Sequence, residues 1–187
     1  YAFVDELAAL RPRVRGAGHA ERFEYWLNTF QYMRAVAKAN CTWAEFNAAL
    51  AKAKAEKEPA GRKKLAQELV LPLRRRLVAE VAEVHRHLLA TVSTTGEMGT
   101  VTNWQQHNLP EILGKPGVEL ARLLDRPLPP DAQPTRQYVG PPRLVVPVVR
   151  TGLSAGERLA LSATLLNAEA REFSLRWRRL GAGEFHT

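Results

Sequence analysis

The stretch LAQELVLPLRRRLVAEVAEVHRHL, residues 65–88, decides the fold of this chain, because its apolar residues recur at steps of three and four. This spacing places them on one face of an α-helix, and about thirty helical residues span roughly 45 Å. Pro72 lies inside the stripe, where it removes an amide donor and crowds the preceding turn. We therefore expect the longest helix here, with a kink or break between Val70 and Leu73. The stripe consists of Leu65, Leu69, Leu73, Leu77, Val81, Val84 and Leu88.

Two further helices are predicted upstream of this stretch. Residues 19–39 carry apolar and aromatic side chains at helical spacing, which indicates a core helix of about six turns. The pattern is interrupted at residues 40–41. Thr42 and Glu45 then fit a capping box, which predicts a second helix over about residues 42–57. The apolar positions of the first helix are Phe23, Trp26, Leu27, Phe30, Met33, Val36 and Ala37.

The chain downstream of residue 108 changes character twice. Residues 109–113 and 117–124 have the pattern of short helices that cover the open end of a bundle. Residues 125–142 then contain six of the twelve prolines, which predicts an extended, semi-rigid linker and a domain boundary.

Apolar and polar residues alternate in the last part of the chain, which predicts antiparallel strands over residues 144–149, 158–166 and 172–180. Trp177 is expected to face the core of that sheet. A β-sandwich of the immunoglobulin or fibronectin type needs about seven strands and 100 residues, so residues 143–187 fit only its opening strands. We expect these strands to expose an edge that the remainder of a longer protein covers.

The predicted fold class is therefore mainly α. It comprises an antiparallel helical bundle with a kinked long helix over residues 1–124, the proline-rich linker over residues 125–142, and a partial antiparallel, immunoglobulin-like or fibronectin-like β-sheet over residues 143–187.

Composition indicates an ordinary globular protein, since 45% of the 187 residues are hydrophobic and 25% are charged. The chain begins at Tyr1 and shows neither a signal peptide nor a membrane span, so we expect a segment of a longer polypeptide. The single Cys41 excludes an internal disulfide and a multi-cysteine metal site. We expect it to be a small buried residue at a helix junction rather than a nucleophile.

The net charge of +8 suggests an anionic partner, and nucleic acid is one candidate. The basic residues are scattered, however, and most lie beside apolar residues at amphipathic spacing, which is typical of solvated helix faces. No zinc spacing or RNA-recognition signature accompanies them, so the pattern disfavours nucleic acid. A basic helical module that binds a polyanion or a partner protein remains the alternative to an enzyme-associated function.

The segment STTGEMGTVTNWQQHNLP, residues 93–110, is long and polar and carries Glu97 as its single charge. We expect a loop that contacts a polar ligand. Amides and imidazole exchange hydrogen bonds with hydroxyl groups, and an indole offers a flat apolar face, which suits a sugar. The alternative is that the tryptophan anchors the loop in the core. The candidate substrate-binding residues are Glu97, Asn103, Trp104, Gln106 and His107.

No residue set in the sequence specifies a reaction. Glycoside hydrolysis usually needs two carboxylates about 5 to 10 Å apart, and the polar segment supplies one. His85 and His87 lie two positions apart in a helix and point to different faces, so we expect surface or helix-end histidines rather than a metal pair. There is no glycine-rich phosphate loop. The sequence thus predicts no catalytic residue, metal or cofactor in this chain.

Two stretches, ERFEYWLNTFQYMRAVAKANC at 21–41 and the polar segment at 93–110, resemble the region that follows the catalytic barrel in large bacterial glycoside-hydrolase-like proteins. RLVVPVVRTGLSAGERLALSATLLN, residues 143–167, resembles the start of their C-terminal β-sandwich. The resemblance implies an exported, extracellular or periplasmic enzyme with a carbohydrate substrate. It also implies that the catalytic carboxylates belong to an upstream barrel of the same polypeptide, for which this chain frames or binds substrate.

Overall fold

A computed structural model describes residues 1–94, 96–135, 137–146 and 152–187. The predicted class is confirmed in coarse form, since these residues are mainly helical and include a small antiparallel sheet near the C-terminus. The chain divides into two compact units, Tyr1–Val139 and Gly140–Thr187, which we call unit 1 and unit 2. Within the described residues, no helix combines the length and apolar character needed to cross a bilayer.

Unit 1 contains all the α-helices of the described chain. These are α1 (Ala2–Ala9), α2 (Ala17–Ala55), α3 (Pro59–Leu65), α4 (Leu71–Thr91), α5 (Met98–Asn103) and α6 (Lys115–Leu124). Three π-helical turns, Ala66–Val70, Trp104–Asn108 and Pro110–Gly114, and two 3-10 turns, Arg11–Arg13 and Pro130–Ala132, complete it.

Helix α2 is a single helix of 39 residues, so the predicted break at residues 40–41 is wrong, and α2 is the longest helix. Thr42 is buried in its middle and accepts a hydrogen bond from Arg76 Nε of α4 at 3.0 Å. The Glu45 carboxylate binds the same guanidinium. The two residues predicted as a capping box therefore join two helices instead of starting one. Cys41 is exposed on α2, contrary to the expected burial.

Helices α2 and α4 pack against each other in antiparallel directions. Asn28, early in α2, meets His87, late in α4, whereas Thr42 meets the earlier Arg76. His87 Nδ1 lies 2.9 Å from Asn28 Oδ1 near the end of α4, and the imidazole is buried, so of the expected surface or helix-end positions the surface one is wrong. The core between the helices comes from Ala35, Ala39, Phe46, Ala49, Leu50, Ala53, Ala66, Val70, Leu71, Leu77, Val81, Val84, Leu113, Leu120, Leu124 and Ala132.

The aromatic residues early in α2 are more exposed than predicted. Trp26 keeps 56% of its surface exposed, and Met33 is also exposed, while Leu27 is buried. Consecutive helix positions differ by about 100°, so Leu27 turns towards the core and Trp26 turns away from it. The Trp26 ring stacks on Phe30. The rings of Phe30 and Phe3 of α1 make a T-shaped contact with 5.3 Å between their centroids.

Pro72 produces a π turn rather than a break in the helix. Leu71 donates its amide to the carbonyl of Ala66, five residues earlier, in the turn Ala66–Val70 that joins α3 to α4. A proline ring in an α-helix clashes with the carbonyl four residues before it, and the wider turn relieves that contact without needing a proline amide. Within this turn Ala66 and Val70 are buried, whereas Leu69 of the predicted stripe is exposed.

The same arrangement occurs twice more, and it replaces most of the predicted polar loop. Leu109 precedes Pro110 and donates to the Trp104 carbonyl, and Lys115 precedes Pro116 and donates to the Pro110 carbonyl. The chain is consequently helical from Met98 through α6, without the predicted gap between two short helices. The segment expected to be a loop is helical over residues 98–110.

Residues 125–142, predicted as a linker, include structured elements of unit 1. Asp125 adopts a left-handed conformation with φ of 54° and ends α6. Ala132, in the 3-10 turn, is fully buried, and its carbonyl accepts a hydrogen bond from Arg74 Nε at 3.0 Å. The boundary between the units, at residues 139–140, falls inside this segment.

Unit 2 contains strands β1 (Arg143–Val145) and β2 (Thr164–Leu166), which pair antiparallel with Leu144 opposite Leu165. The predicted strand over 158–166 is thus reduced to its last three residues. The predicted strand over 144–149 extends beyond the described residues after position 146.

The predicted strand over 172–180 is not formed, and its ordered contact is a bridge. Trp177 and His186 exchange backbone hydrogen bonds of 2.9 and 2.8 Å, and their rings lie 4.9 Å apart. Trp177 is exposed, contrary to the expectation that it faces a core. Its ring packs on His186.

Candidate functional site

A pocket of about 310 Å³ opens in unit 1 between α2, α4 and the π turns that follow α5. Its inner wall is apolar and its mouth is polar, which is the usual composition of a small-ligand site. The volume lies at the lower end of the range for such sites, about 300–1,000 Å³. The lining consists of Tyr32, Val36, Ala39, Asn40, Trp43, Val81, Val84, Trp104, His107, Asn108, Glu111 and Ile112.

Two half-buried indoles, Trp43 of α2 and Trp104 of the first π turn after α5, line this pocket. Trp43 Nε1 is buried and has no hydrogen-bond acceptor among the described residues. A buried donor without a partner costs about 1–3 kcal/mol.

Trp104 is held in position by His85 of α4. The imidazole meets the indole edge-on, with 4.6 Å between ring centroids and an angle of 67°. Burial lowers the pKa of His85 below its ordinary value, so the ring is neutral at neutral pH. Sequence reasoning expected a surface histidine, whereas this one is half-buried behind the pocket wall.

Four polar side chains surround the mouth of the pocket: Asn40, His107, Asn108 and Glu111. All four are exposed, so they can exchange water for a ligand. The two amides both donate and accept hydrogen bonds, and the imidazole has one nitrogen of each kind when neutral. Glu111 is paired with Lys115 one turn later, which keeps its charge balanced. This rim suits a ligand rich in hydroxyl groups.

Glu97 lies outside the pocket and serves the start of α5. Its carboxylate accepts hydrogen bonds from the Ser93 amide, the Ser93 hydroxyl and the Thr94 amide at 2.5, 2.8 and 2.9 Å. In return, the Glu97 amide donates to Thr94 Oγ1, which completes a capping box. These bonds, first those from Ser93, lower the pKa of Glu97, so the group is ionised at neutral pH and is a poor proton donor.

The pocket therefore includes two of the five residues proposed from the sequence, Trp104 and His107. Asn103 and Gln106 are exposed on the same helical segment but do not line the pocket.

Sequence reasoning missed the α2 side of the pocket, because it ended the helix at residue 40. In an unbroken helix, Tyr32, Val36, Asn40 and Trp43 recur at steps of four and three and share one face. That stripe was the available signal for the second indole.

The described residues contain no group of three or more histidine, cysteine, aspartate or glutamate side chains placed to hold a metal ion. Comparison with protein-family models, curated proteins and solved structures finds no match for this chain.

Proposed function

We propose that this chain is an accessory region of an exported carbohydrate-active enzyme of the glycoside-hydrolase type, and that its pocket binds part of the saccharide substrate. The observation that carries the proposal is the pairing of two indoles, Trp43 and Trp104, with an amide and imidazole rim. The apolar face of a sugar ring packs on an indole, while its hydroxyls bond to amides.

Catalysis in this proposal belongs to an upstream domain of the same polypeptide. The carboxylate inside the polar segment and the one directly after it are already engaged. Glu97 accepts hydrogen bonds from backbone amides, and Glu111 pairs with Lys115. The hydrogen bonds from Ser93 and Thr94 lower the pKa of Glu97, which favours an ionised carboxylate that orients its neighbours over one that transfers protons. The chain would therefore contribute substrate affinity.

The finer architecture is part of the same proposal. An antiparallel helical bundle over unit 1 is supported by the opposed directions of α2 and α4. An immunoglobulin-like or fibronectin-like sandwich, to which unit 2 would contribute, is supported by the antiparallel pairing of β1 with β2. Leu144 of β1 is exposed, as expected of a sheet face that packs on another sheet, and further large apolar side chains are exposed outside β1 and β2: Leu159, Leu161, Phe173 and Leu175.

Replacement of either pocket indole tests the proposal. We expect Trp43→Ala and Trp104→Ala each to weaken binding of neutral oligosaccharides about tenfold, or ~1.4 kcal/mol, by isothermal titration calorimetry. The matched control is Trp177→Ala, which changes an exposed indole of unit 2 and should leave affinity unchanged.

Urea unfolding of the same variants separates binding from anchoring. A Trp104→Ala protein that keeps its unfolding midpoint but loses affinity supports the saccharide site. If affinity for every saccharide is retained in both folded variants, the proposal is wrong. If only Trp104→Ala fails to fold, Trp104 is an anchor of its helical segment. The saccharide affinity of the folded Trp43→Ala protein then tests the binding site.

A further inference from the structure

The positive charge of unit 1 is unevenly neutralised. Several cations pair with carboxylates of neighbouring helices or turns. The pairs are Arg34–Asp5, Lys54–Glu119, Arg75–Asp131, Arg76–Glu45 and Lys115–Glu111. Unit 1 contains 20 lysine and arginine residues and 15 aspartate and glutamate residues, so it carries +5 of the chain's formal charge of +8, and this excess lies on cations outside such pairs.

An open groove of about 630 Å³ beside α3 and the end of α6 contains three cations, and among the described residues only Lys63 of these has a carboxylate within ion-pair distance. It is lined by Ala60, Lys63, Lys64, Gln67 and Arg126, and no carboxylate contributes to the lining. Lys64 and Arg126 form no ion pair within the described part of the chain. Lys63 Nζ is 3.9 Å from Asp125 Oδ2, at the limit of an ion pair.

Gln67 orients the groove for an anion. Its Oε1 accepts a hydrogen bond from Arg126 Nη2, which fixes the guanidinium and leaves the amide nitrogen of Gln67 as a further donor. The groove thus presents two ammonium groups, a guanidinium and an amide, all able to donate hydrogen bonds. Charge-assisted hydrogen bonds of this kind recognise phosphate and sulfate oxygens.

The usual structural reason for cations at a helix end does not apply here. Lysine and arginine in a last helical turn balance the negative end of the helix dipole. Although α3 ends at Leu65, the chain continues through the π turn Ala66–Val70 into α4 without leaving the helix. The basic run 62–64 therefore lies inside a continuous helical segment and not at its end.

We propose that this groove binds a phosphate or sulfate oxyanion, either as a free ion or as an ester on a saccharide. Its lining lacks an aromatic ring on which a nucleic-acid base could stack, and it offers three cations rather than a long basic tract. The site shares no lining residue with the indole pocket, so the inference does not rest on the proposed saccharide function.

Calorimetry with sodium sulfate, sodium phosphate and a sulfated oligosaccharide tests the site, with the unsulfated oligosaccharide as reference. We expect binding that weakens as salt rises and that falls at least tenfold in the double variant Lys64→Gln/Arg126→Gln. Arg13→Gln/Lys52→Gln removes the same charge at exposed positions outside the groove and should bind normally. If the sulfated oligosaccharide binds more tightly than sulfate, the ligand of the groove is an ester on a saccharide. If the two bind equally, the ligand is the free ion.

Three outcomes would overturn the proposal: no binding of any oxyanion at millimolar concentration, an equal loss in the control variant, or tighter binding of a DNA duplex that depends on Lys64 and Arg126. Thermal melting checks that both variants are folded. The affinity for neutral oligosaccharides should be unchanged in Lys64→Gln/Arg126→Gln. The oxyanion site and the saccharide pocket can therefore each be disproved independently of the other.

Discussion

At the scale of single residues, Arg74 is a buried cation that the structure accommodates through one glycine. Its side chain is 2% exposed, donates from Nε to the Ala132 carbonyl, and lies 6.0 Å from the Phe46 ring centroid. Burial lowers the pKa of Arg74 to about 10, which still leaves it charged at neutral pH. Gly117 makes room for it, since a Cβ there would lie 2.9 Å from Arg74 Nη2.

Substitution of this glycine should destabilise unit 1. We expect Gly117→Ala to displace the Arg74 guanidinium from Ala132 and to lower the free energy of unfolding by about 1–3 kcal/mol, measured by urea denaturation. Gly99→Ala is the matched control, because a Cβ at that helical position meets nothing within 4 Å. It should be neutral or stabilising by up to ~1 kcal/mol. Equal effects of the two substitutions would contradict a steric role for Gly117.

Buried histidines should make stability depend on pH in the weakly acidic range. Burial, and then the charge of Arg86, lowers the pKa of His87 below 6.5, although Glu83 opposes this. The unfolded chain therefore takes up a proton before the folded chain does, and stability falls as pH drops below about 6.5. His85, lowered by burial, acts in the same direction.

The test measures the urea concentration at the midpoint of unfolding, for the wild type and for His87→Gln, at several pH values between 7.5 and 5. We expect His87→Gln to flatten the decrease relative to the wild type, because one of the two titrating groups is removed. A wild-type midpoint that rises as the pH falls through this range would contradict the assignment.

At the scale of secondary-structure elements, the long helical patterns were predictable and their ends were not. The apolar steps of α4 follow from local spacing, and the stripe residues of its second half are buried as predicted: Leu77, Val81, Val84 and Leu88. The false break in α2 arose because Thr42 and Glu45 match a local capping signal. Their partner Arg76 lies 34 and 31 positions away, and such a tertiary contact is invisible to local pattern reading.

Pro110 should determine the path of the helical wall of the pocket. In Pro110→Ala the new amide can donate to the Gln106 carbonyl, four residues earlier, so we expect the π turn Trp104–Asn108 to become α-helical. That change would rotate Trp104 away from His85, and it should appear as a shift of the His85 ring resonances in NMR spectra. Pro59→Ala, in the first turn of α3, is the control because no π turn precedes it. Unchanged His85 resonances would contradict this role.

At the scale of the whole chain, the two units differ in how much of each is buried. Unit 1 has an apolar core, whereas Gly140 is the one buried residue among those described in unit 2. We expect amide hydrogen exchange to be slow in α2 and α4 and fast over residues 152–187. The exceptions should be β2 and the amides of Trp177 and His186, which are hydrogen-bonded. Mass spectrometry of peptic peptides measures this, and uniformly slow exchange over 152–187 would contradict it.

In the candidate site, too, some residues could be predicted from the local sequence and others depend on contacts between distant parts of the chain. Trp104 and His107 were accessible from composition, because they stand in a polar segment with few charges. Trp43 was not, since its position in the pocket depends on the packing of α2 against residues more than sixty positions away. Glu97 stays a prediction as a substrate contact; its carboxylate lies outside the pocket and accepts hydrogen bonds from the amides of Ser93 and Thr94.

The three π turns also bear on the history of the sequence. A π turn holds one residue more than the α-helical turn it replaces, so each is the form that a single-residue insertion takes when a helix absorbs it. Relatives that lack Pro72, Pro110 or Pro116 should therefore be one residue shorter at the corresponding turn. Their alignments with this chain would need single-residue gaps inside helices, and gaps placed there would keep the buried faces of α4 and α6 in register.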